Sequence, residues 1–223
     1  VTEAKRQVTA QDPVFIIFTS GTTETPKGVV LTHYNVVNDA LHTQHYMRWT
    51  EDDKMCVSAP MFHCFGLITA LVGSVTTGFA MHILPYFRTA TVWRAITEYH
   101  CSVMIGVPSM YLALVHKHEY DALNGESLKS GIVGGSPLPP EEYEEISARF
   151  PNMHLQPSFG MTEMSAAVSF AGWDDPIEKK AVTVGRLMED VEGRIVDPES
   201  GEVLGPNQRG EIQFRGFNVM QGY

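Results

Sequence analysis

The chain is 223 residues long, 43% hydrophobic and 19% charged, and its 16 lysines and arginines stand against 26 acids for a formal charge of -10. This length bounds one large domain or one and a half ordinary ones with a substantial core, and scattered basic residues on an acidic background argue against nucleic acid as a partner. Three cysteines (Cys56, Cys64 and Cys101), odd in number and without a CxxC pair, argue against a disulfide framework and for a reduced, cytoplasmic protein with buried thiols. In chain order, short β-rich runs at 14–18, 54–59, 80–85, 102–107, 130–135 and 154–159 alternate with helical segments at 34–47, 65–77, 90–100, 109–120 and 139–150. That alternation predicts an α/β fold with a doubly wound, largely parallel sheet. The helix at 139–150 carries its own start signal, Pro139 and Pro140 ahead of Glu141, Glu142, Glu144 and Glu145, with Arg149 at its far end. The longest apolar stretch, 64–84, is broken by Thr69, Ser74, Thr76, Thr77 and glycines, so it reads as a core helix and a strand, not as a transmembrane segment. From about Val184 strands and turns alone remain, the hairpin pattern "EGRIVD", "PESGE", "GEIQFRG". The expected division is therefore an α/β core over 1–175 and the start of a β-rich, barrel-like subdomain over 176–223.

Chemistry concentrates first in "TSGTTETPKG", residues 19 to 28. The hydroxyls of Thr19, Ser20, Thr22 and Thr23 follow directly on a strand, at the kind of strand end where open α/β sheets bind ligands. Gly21 and Gly28 permit close backbone approach, and Lys27 supplies a point charge suited to a phosphate oxygen. The string is not a Walker A loop, because Lys27 precedes its glycine and Val29 follows. Taken alone it is also compatible with a polar surface turn. The pairs His42 with His45 and His116 with His118 are not completed into a metal-site pattern by a carboxylate or cysteine and read as surface residues. No G-x-S-x-G elbow is present, which leaves a hydrolase without support.

The same loop resembles the signature (T/S)SG(T/S)TGxPKG of the adenylate-forming superfamily, which includes acyl-CoA synthetases, aryl-CoA ligases, luciferases and amino-acid-activating domains. Three further signatures follow in order: "GGSPL" at 134–138, "FGMTE" at 159–163 in place of YGxTE, and "GEIQFRGFNVMQGY" at 210–223. The resemblance implies a two-step reaction in which ATP and a carboxylic acid give an acyl adenylate, and coenzyme A then displaces AMP to form a thioester. It implies that Thr19, Ser20, Thr22, Thr23 and Lys27 hold the β and γ phosphates, that Thr162 contacts the α phosphate, and that Glu163 carries Mg2+. Lys27, Thr162 and Glu163 are the implied catalytic set. Phe159 is expected to face adenine, with Gly134, Gly135 and Ser136 on its other side and Gly160 and Met161 completing the nucleotide site. His63, Phe62, Gly66, Gly106 and Val107 are expected to border the acyl group. Between Asp53 and Glu98 no acidic residue occurs. An ammonium-bearing amino acid is therefore a poor substrate, and the expectation is a fatty acid, with an aromatic acid of the cinnamate kind as alternative.

Glu24 departs from the family pattern, which has glycine there. A carboxylate about 5 Å from one phosphate charge costs about 3 kcal/mol at an effective dielectric near 20, and under about 1 kcal/mol if the loop tip is fully wetted. The expectation is a Glu24 that points to solvent and weakens nucleotide binding without abolishing it. The competing expectation is a catalytically lost nucleotide-binding or scaffold module. The family's upstream half and its C-terminal lid domain are not represented within residues 1–223. The chain thus reads as an interior piece of a longer ligase, inactive in thioester synthesis by itself.

Overall fold

The computed structural model describes residues 7–19, 25–120 and 122–223. Two strands open the chain, β1 (Pro13–Thr19) and β2 (Lys27–Thr32), followed by helix α1 (His33–Met47). Then come β3 (Lys54–Val57), a π-helix (Phe65–Val72) that runs into α2 (Gly73–Thr77), β4 (Ala80–Ile83), α3 (Thr89–Thr97), β5 (Val103–Gly106) and α4 (Pro108–Val115). The second half holds β6 (Ser130–Gly134), α5 (Pro140–Arg149), β7 (His154–Phe159), β8 (Ser169–Phe170), α6 (Ile177–Lys180), β9 (Arg186–Leu187), β10 (Val191–Val196) and β11 (Glu211–Gly216).

Seven strands form one sheet in the order β4-β3-β5-β6-β7-β8-β9, parallel from β4 to β7 and antiparallel at β8 and β9. Its central strands β5 and β6 are buried at every residue, as parallel strands covered on both faces must be. Alternation decides the layers. Cys56, Met104 and Val133 turn to one face, where they pack with Trp93, Tyr111 and Ile146 from α3, α4 and α5. Met55, Val57, Ile105 and Ile132 turn to the other, against Met47 at the end of α1 and Ala70 of the π-helix. The expected α/β architecture with a largely parallel, doubly wound sheet is thus the observed one.

One element differs. The strand read at 14–18 is β1, and it does not belong to the large sheet; it pairs antiparallel with β2, Phe18 opposite Gly28 and Thr19 opposite Lys27. β1 therefore ends in an antiparallel pair, whereas a strand end of an open parallel sheet was expected. The reason lies in "KGVVLT", whose Val29 and Leu31 alternate inward to meet Ile17, Val36 and Ile68 in a third core beneath the hairpin. Its outer face leaves Ile16 at 62% and Phe18 at 70% exposure. β10 and β11 likewise form a separate antiparallel hairpin, whereas β9, also beyond residue 176, adds to the large sheet. Among the described residues no helix is long and apolar enough to cross a membrane.

Candidate active site

The strand order reverses between β3 and β5, because the chain steps from β3 outward to β4 and returns past β3 to β5. At such a point the loops leaving adjacent strands part, and a crevice opens beyond their carboxyl ends. Close by, a cavity of about 180 Å³ lies between the segment after β3 and the carboxyl ends of β6 and β7. The segment after β3 contributes His63, Cys64 and Phe65, the end of β6 contributes Ile132, Gly134 and Gly135, and the turn after β7 contributes Gly160, Met161 and Thr162. Among the described residues no acidic side chain lines it. His63 Nδ1 accepts the Phe65 backbone N–H at 3.3 Å, which places the proton of the neutral ring on Nε2.

The turn after β7 is built around a close approach. A side chain at Gly160 would place Cβ 1.7 Å from the Ala166 carbonyl oxygen, so the loop can fold back on itself only with glycine there. Behind it lies Asp39 of α1, wholly buried. Its oxygens stand 3.3 and 3.4 Å from the Ala167 N–H. Burial pushes its carboxyl up to about 8, against the opposing pull of the Ala167 N–H, the Asn218 side chain and the Ala166 N–H, so the group is protonated at neutral pH. Cys64, whose Sγ lies 3.8 Å from Thr162 Oγ1, is likewise raised by burial, to about 11, and is not a nucleophile.

A strap formed by residues 217–223 joins this turn to the first hairpin. Asn35, in a capping box with Thr32 at the start of α1, donates through Nδ2 to the carbonyls of Phe217 (2.6 Å) and Val219 (3.1 Å). Ser165 Oγ donates to the Asn218 carbonyl, and Asn218 Nδ2 donates to that of Ala167, both at 2.9 Å. The Met220 N–H donates to the Glu163 carbonyl, and the Gln221 N–H to that of Val30. At the strap's end Tyr223 donates its hydroxyl to Glu163 Oε1 at 3.0 Å, while Lys27 Nζ sits 4.9 Å from the Tyr223 ring centroid.

The sequence-derived residues therefore fall into groups. His63, Gly134, Gly135, Gly160, Met161 and Thr162 share the cavity. Lys27 and Glu163 meet the same tyrosine, Glu163 following the cavity residue Thr162 in the chain, with Thr19 opposite Lys27 and Gly28 beside it on β2. Ser136 lies in an adjoining cleft of about 660 Å³, which shares Gly134 and Ser158 with the cavity. Phe159 is half-buried, its ring 6.1 Å from that of Phe214. Ser20, Gly21, Thr22 and Thr23, and with them Glu24, lie outside the described residues.

Four of the five expected acyl-site residues do not line the cavity. Phe62 is 84% exposed. Gly66 is packed against the turn before it, where a Cβ would sit 2.3 Å from the Pro60 carbonyl oxygen. Gly106 is buried against Met110, and Val107 approaches Gly135 from beside the cavity. The apolar side chains that line the cavity are those of Phe65, Ile132, Ala166, Ala167 and Phe170. Tyr223, Asp39 and Asn218 were not read from sequence, since only the fold carries them to the site. His42 is not the plain surface residue expected, because it stacks on Phe217 at 4.5 Å. The fold also brings Glu145 within 3.0 Å of His116. Cys56, Cys64 and Cys101 are buried and free, as expected.

Among the described residues no group of three or more His, Cys, Asp or Glu side chains gathers as a metal cage. Mg2+ does not require one: it is bound by one or two carboxylates together with substrate phosphates and water. Glu163 meets that need. Its Oε2 accepts no hydrogen bond among the described residues, and it shares Tyr223 with Lys27.

A model of the AMP-binding enzyme family matches residues 2–223. A putative acyl-CoA synthetase of Bacillus subtilis is 35% identical over 206 residues, 92% of this chain and 38% of that protein. A mitochondrial medium-chain acyl-CoA ligase of Mus musculus is 31% identical over 224 residues, 98% of this chain and 36% of that protein. The chain thus spans little more than a third of the length of these curated relatives. The crystal structure of ATP-bound MatB from Rhodopseudomonas palustris superposes with a TM-score of 0.86 at 29% identity, over 97% of this chain and 42% of that one.

Proposed function

The chain belongs to the AMP-binding enzyme family, and from that premise we propose that it forms the nucleotide- and acid-binding part of an ATP-dependent acyl-CoA ligase. In this reaction a carboxylate oxygen attacks the α phosphorus of ATP and pyrophosphate leaves with the electrons of the broken P–O bond. The sulfur of coenzyme A then attacks the acyl carbon, its proton passes to solvent, and AMP departs. Attack of one anion on another is governed by charge neutralisation and positioning.

The observation that carries the proposal is the meeting of Lys27 and Glu163, far apart in sequence, at one tyrosine, Glu163 being next to Thr162 in the chain. Lys27, with Thr19, Ser20, Thr22 and Thr23, holds the β and γ phosphates in this reading. Thr162 contacts the α phosphate, and Glu163 would hold Mg2+, which neutralises phosphate charge when bound. Gly134, Gly135, Ser136, Phe159, Gly160 and Met161 hold the base. An apolar acid, here a fatty acid, is favoured by a cavity edged by Phe65, Ile132 and Phe170 with, among the described residues, no acidic group to pair an ammonium. Release of pyrophosphate across a panel of fatty, aromatic and amino acids by a protein of the relatives' full length decides the class. The buried free thiols support a reducing, cytoplasmic setting. The hairpin of β10 and β11 supports a β-rich unit that follows the α/β core.

Calorimetric titration of MgATP and of AMP into the chain, Lys27→Met and Glu24→Gly tests the site directly. Lys27→Met is expected to weaken MgATP by roughly tenfold and AMP by less than about twofold, the signature of a cation on the outer phosphates. Glu24→Gly is expected to tighten MgATP more than AMP. Folded protein that binds neither nucleotide would overturn the reading for this chain.

A further inference from the structure

Lys27 and Glu163 carry opposite charges and reach the same few ångströms of surface, yet among the described residues they do not form an ion pair. Tyr223 stands between them. Its ring takes the ammonium at 4.9 Å and its hydroxyl takes Glu163 Oε1 at 3.0 Å. A direct ion pair would satisfy each group with the other and leave neither for a polyphosphate or a cation. The phenol instead occupies one carboxylate oxygen with a neutral donor and leaves the second oxygen available.

Tyr223 is held for this task although it is 61% exposed. The backbone on its N-terminal side is fixed at three places. The Met220 N–H binds the Glu163 carbonyl at 2.9 Å, the Gln221 N–H binds the Val30 carbonyl at 2.9 Å, and the Val30 N–H binds the Gly222 carbonyl at 3.0 Å. The residue thus reaches Glu163 and Lys27 from a backbone already bonded to both of their elements.

Resting on the ligase reading above, we propose that Tyr223 is a positioning residue for the magnesium ligand and a spacer between the phosphate-binding and metal-binding charges. Its hydroxyl orients the Glu163 carboxylate for the cation. Its ring holds Lys27 away from that carboxylate until a polyphosphate arrives.

The two halves of the proposal separate by substitution. Tyr223→Phe keeps the ring and removes the hydroxyl, and Tyr223→Leu removes both. Calorimetry of ATP binding at graded Mg2+ concentration, of ATP in chelator, and of AMP reads the metal, the polyphosphate and the fold in turn. Tyr223→Phe is expected to raise the Mg2+ concentration for half-maximal effect by roughly tenfold, with metal-free ATP and AMP affinities within about twofold of the unsubstituted chain. Tyr223→Leu is expected to weaken metal-free ATP as well, because Lys27 is then free to pair with Glu163. Unchanged Mg2+ dependence in Tyr223→Phe overturns the proposal, as does an equal loss of all three affinities, which marks a merely structural residue. If the unsubstituted chain binds ATP with no Mg2+ dependence at all, the metal reading of Glu163 fails, and the proposal with it. Wild-type Mg2+ dependence that survives Tyr223→Phe leaves that reading intact and removes only the proposal.

Discussion

Asp39 is a carboxylic acid placed where a carboxylate cannot be solvated, beneath the turn that presents Thr162 and Glu163. The Asn218 side chain and the N–H groups of Ala166 and Ala167 pull the other way, and burial outweighs them. The other titratable group facing it is Cys64, which stays a thiol. Because the folded-state value is raised from 3.8 to about 8, the folded protein binds a proton that the unfolded chain has released throughout that window. Stability from this group is therefore complete below about pH 4 and is lost as pH rises toward 8. Urea midpoints measured between pH 5 and pH 8 are expected to fall for the unsubstituted chain and to stay flatter for Asp39→Asn, which cannot titrate. Parallel slopes for the two proteins would show that Asp39 is ionised. Nothing in the sequence around Asp39 signals this role, since a polar residue on a helix ordinarily reads as solvated.

At the scale of elements, the strap is secured chiefly by Asn35, whose amide serves two masters. Its Oδ1 accepts the Thr32 N–H at 2.9 Å and completes the cap of α1, while its Nδ2 holds the Phe217 and Val219 carbonyls. Asn35→Asp keeps the acceptor and sets a charge against those two carbonyls, so the cap survives and the strap does not. Native-state hydrogen exchange at the amides of Met220 and Gln221 is expected to accelerate by at least about tenfold, with β5 and β6 unchanged. Uniform acceleration across the chain would instead mean a global loss of stability. The long elements were legible because each has its own periodicity: α1, α3, α4 and α5, and the strands β3 to β7, fall where apolar runs and cap residues place them. β2 was missed because its residues follow directly on a loop rich in turn formers. β8 and β9 were missed because two-residue strands carry no pattern and exist only through their partners. The same limit governed the site. "FGMTE" and "GGSPL" were readable as strings, whereas the tyrosine that unites Lys27 and Glu163 is a relation between positions almost two hundred residues apart.

The molecule as a whole divides its labour between the two ends of the large sheet. The carboxyl ends of β3, β6 and β7 open into the cavity. The opposite ends are pinned by Asp53, whose buried carboxylate takes Ser102 Oγ and Lys129 Nζ, each at 2.7 Å, and the Thr50 N–H at 2.8 Å, tying the entries to β3, β5 and β6. Asp53→Ala is expected to lower stability by about 2–3 kcal/mol by denaturant titration, with nucleotide affinity of the folded fraction unchanged. A loss of affinity without a loss of stability would refute that division. The strap has a last consequence, for the order in which the chain is assembled. The hairpins and the strand-helix-strand units close over short stretches of sequence, but the pairing of Val30 with Gly222 closes a loop that contains most of the chain. Its entropic cost can be met only after the core has drawn both ends together. The sheet can therefore form before its ligand site does, and competence to hold a nucleotide reports that β2 and the strap have found each other.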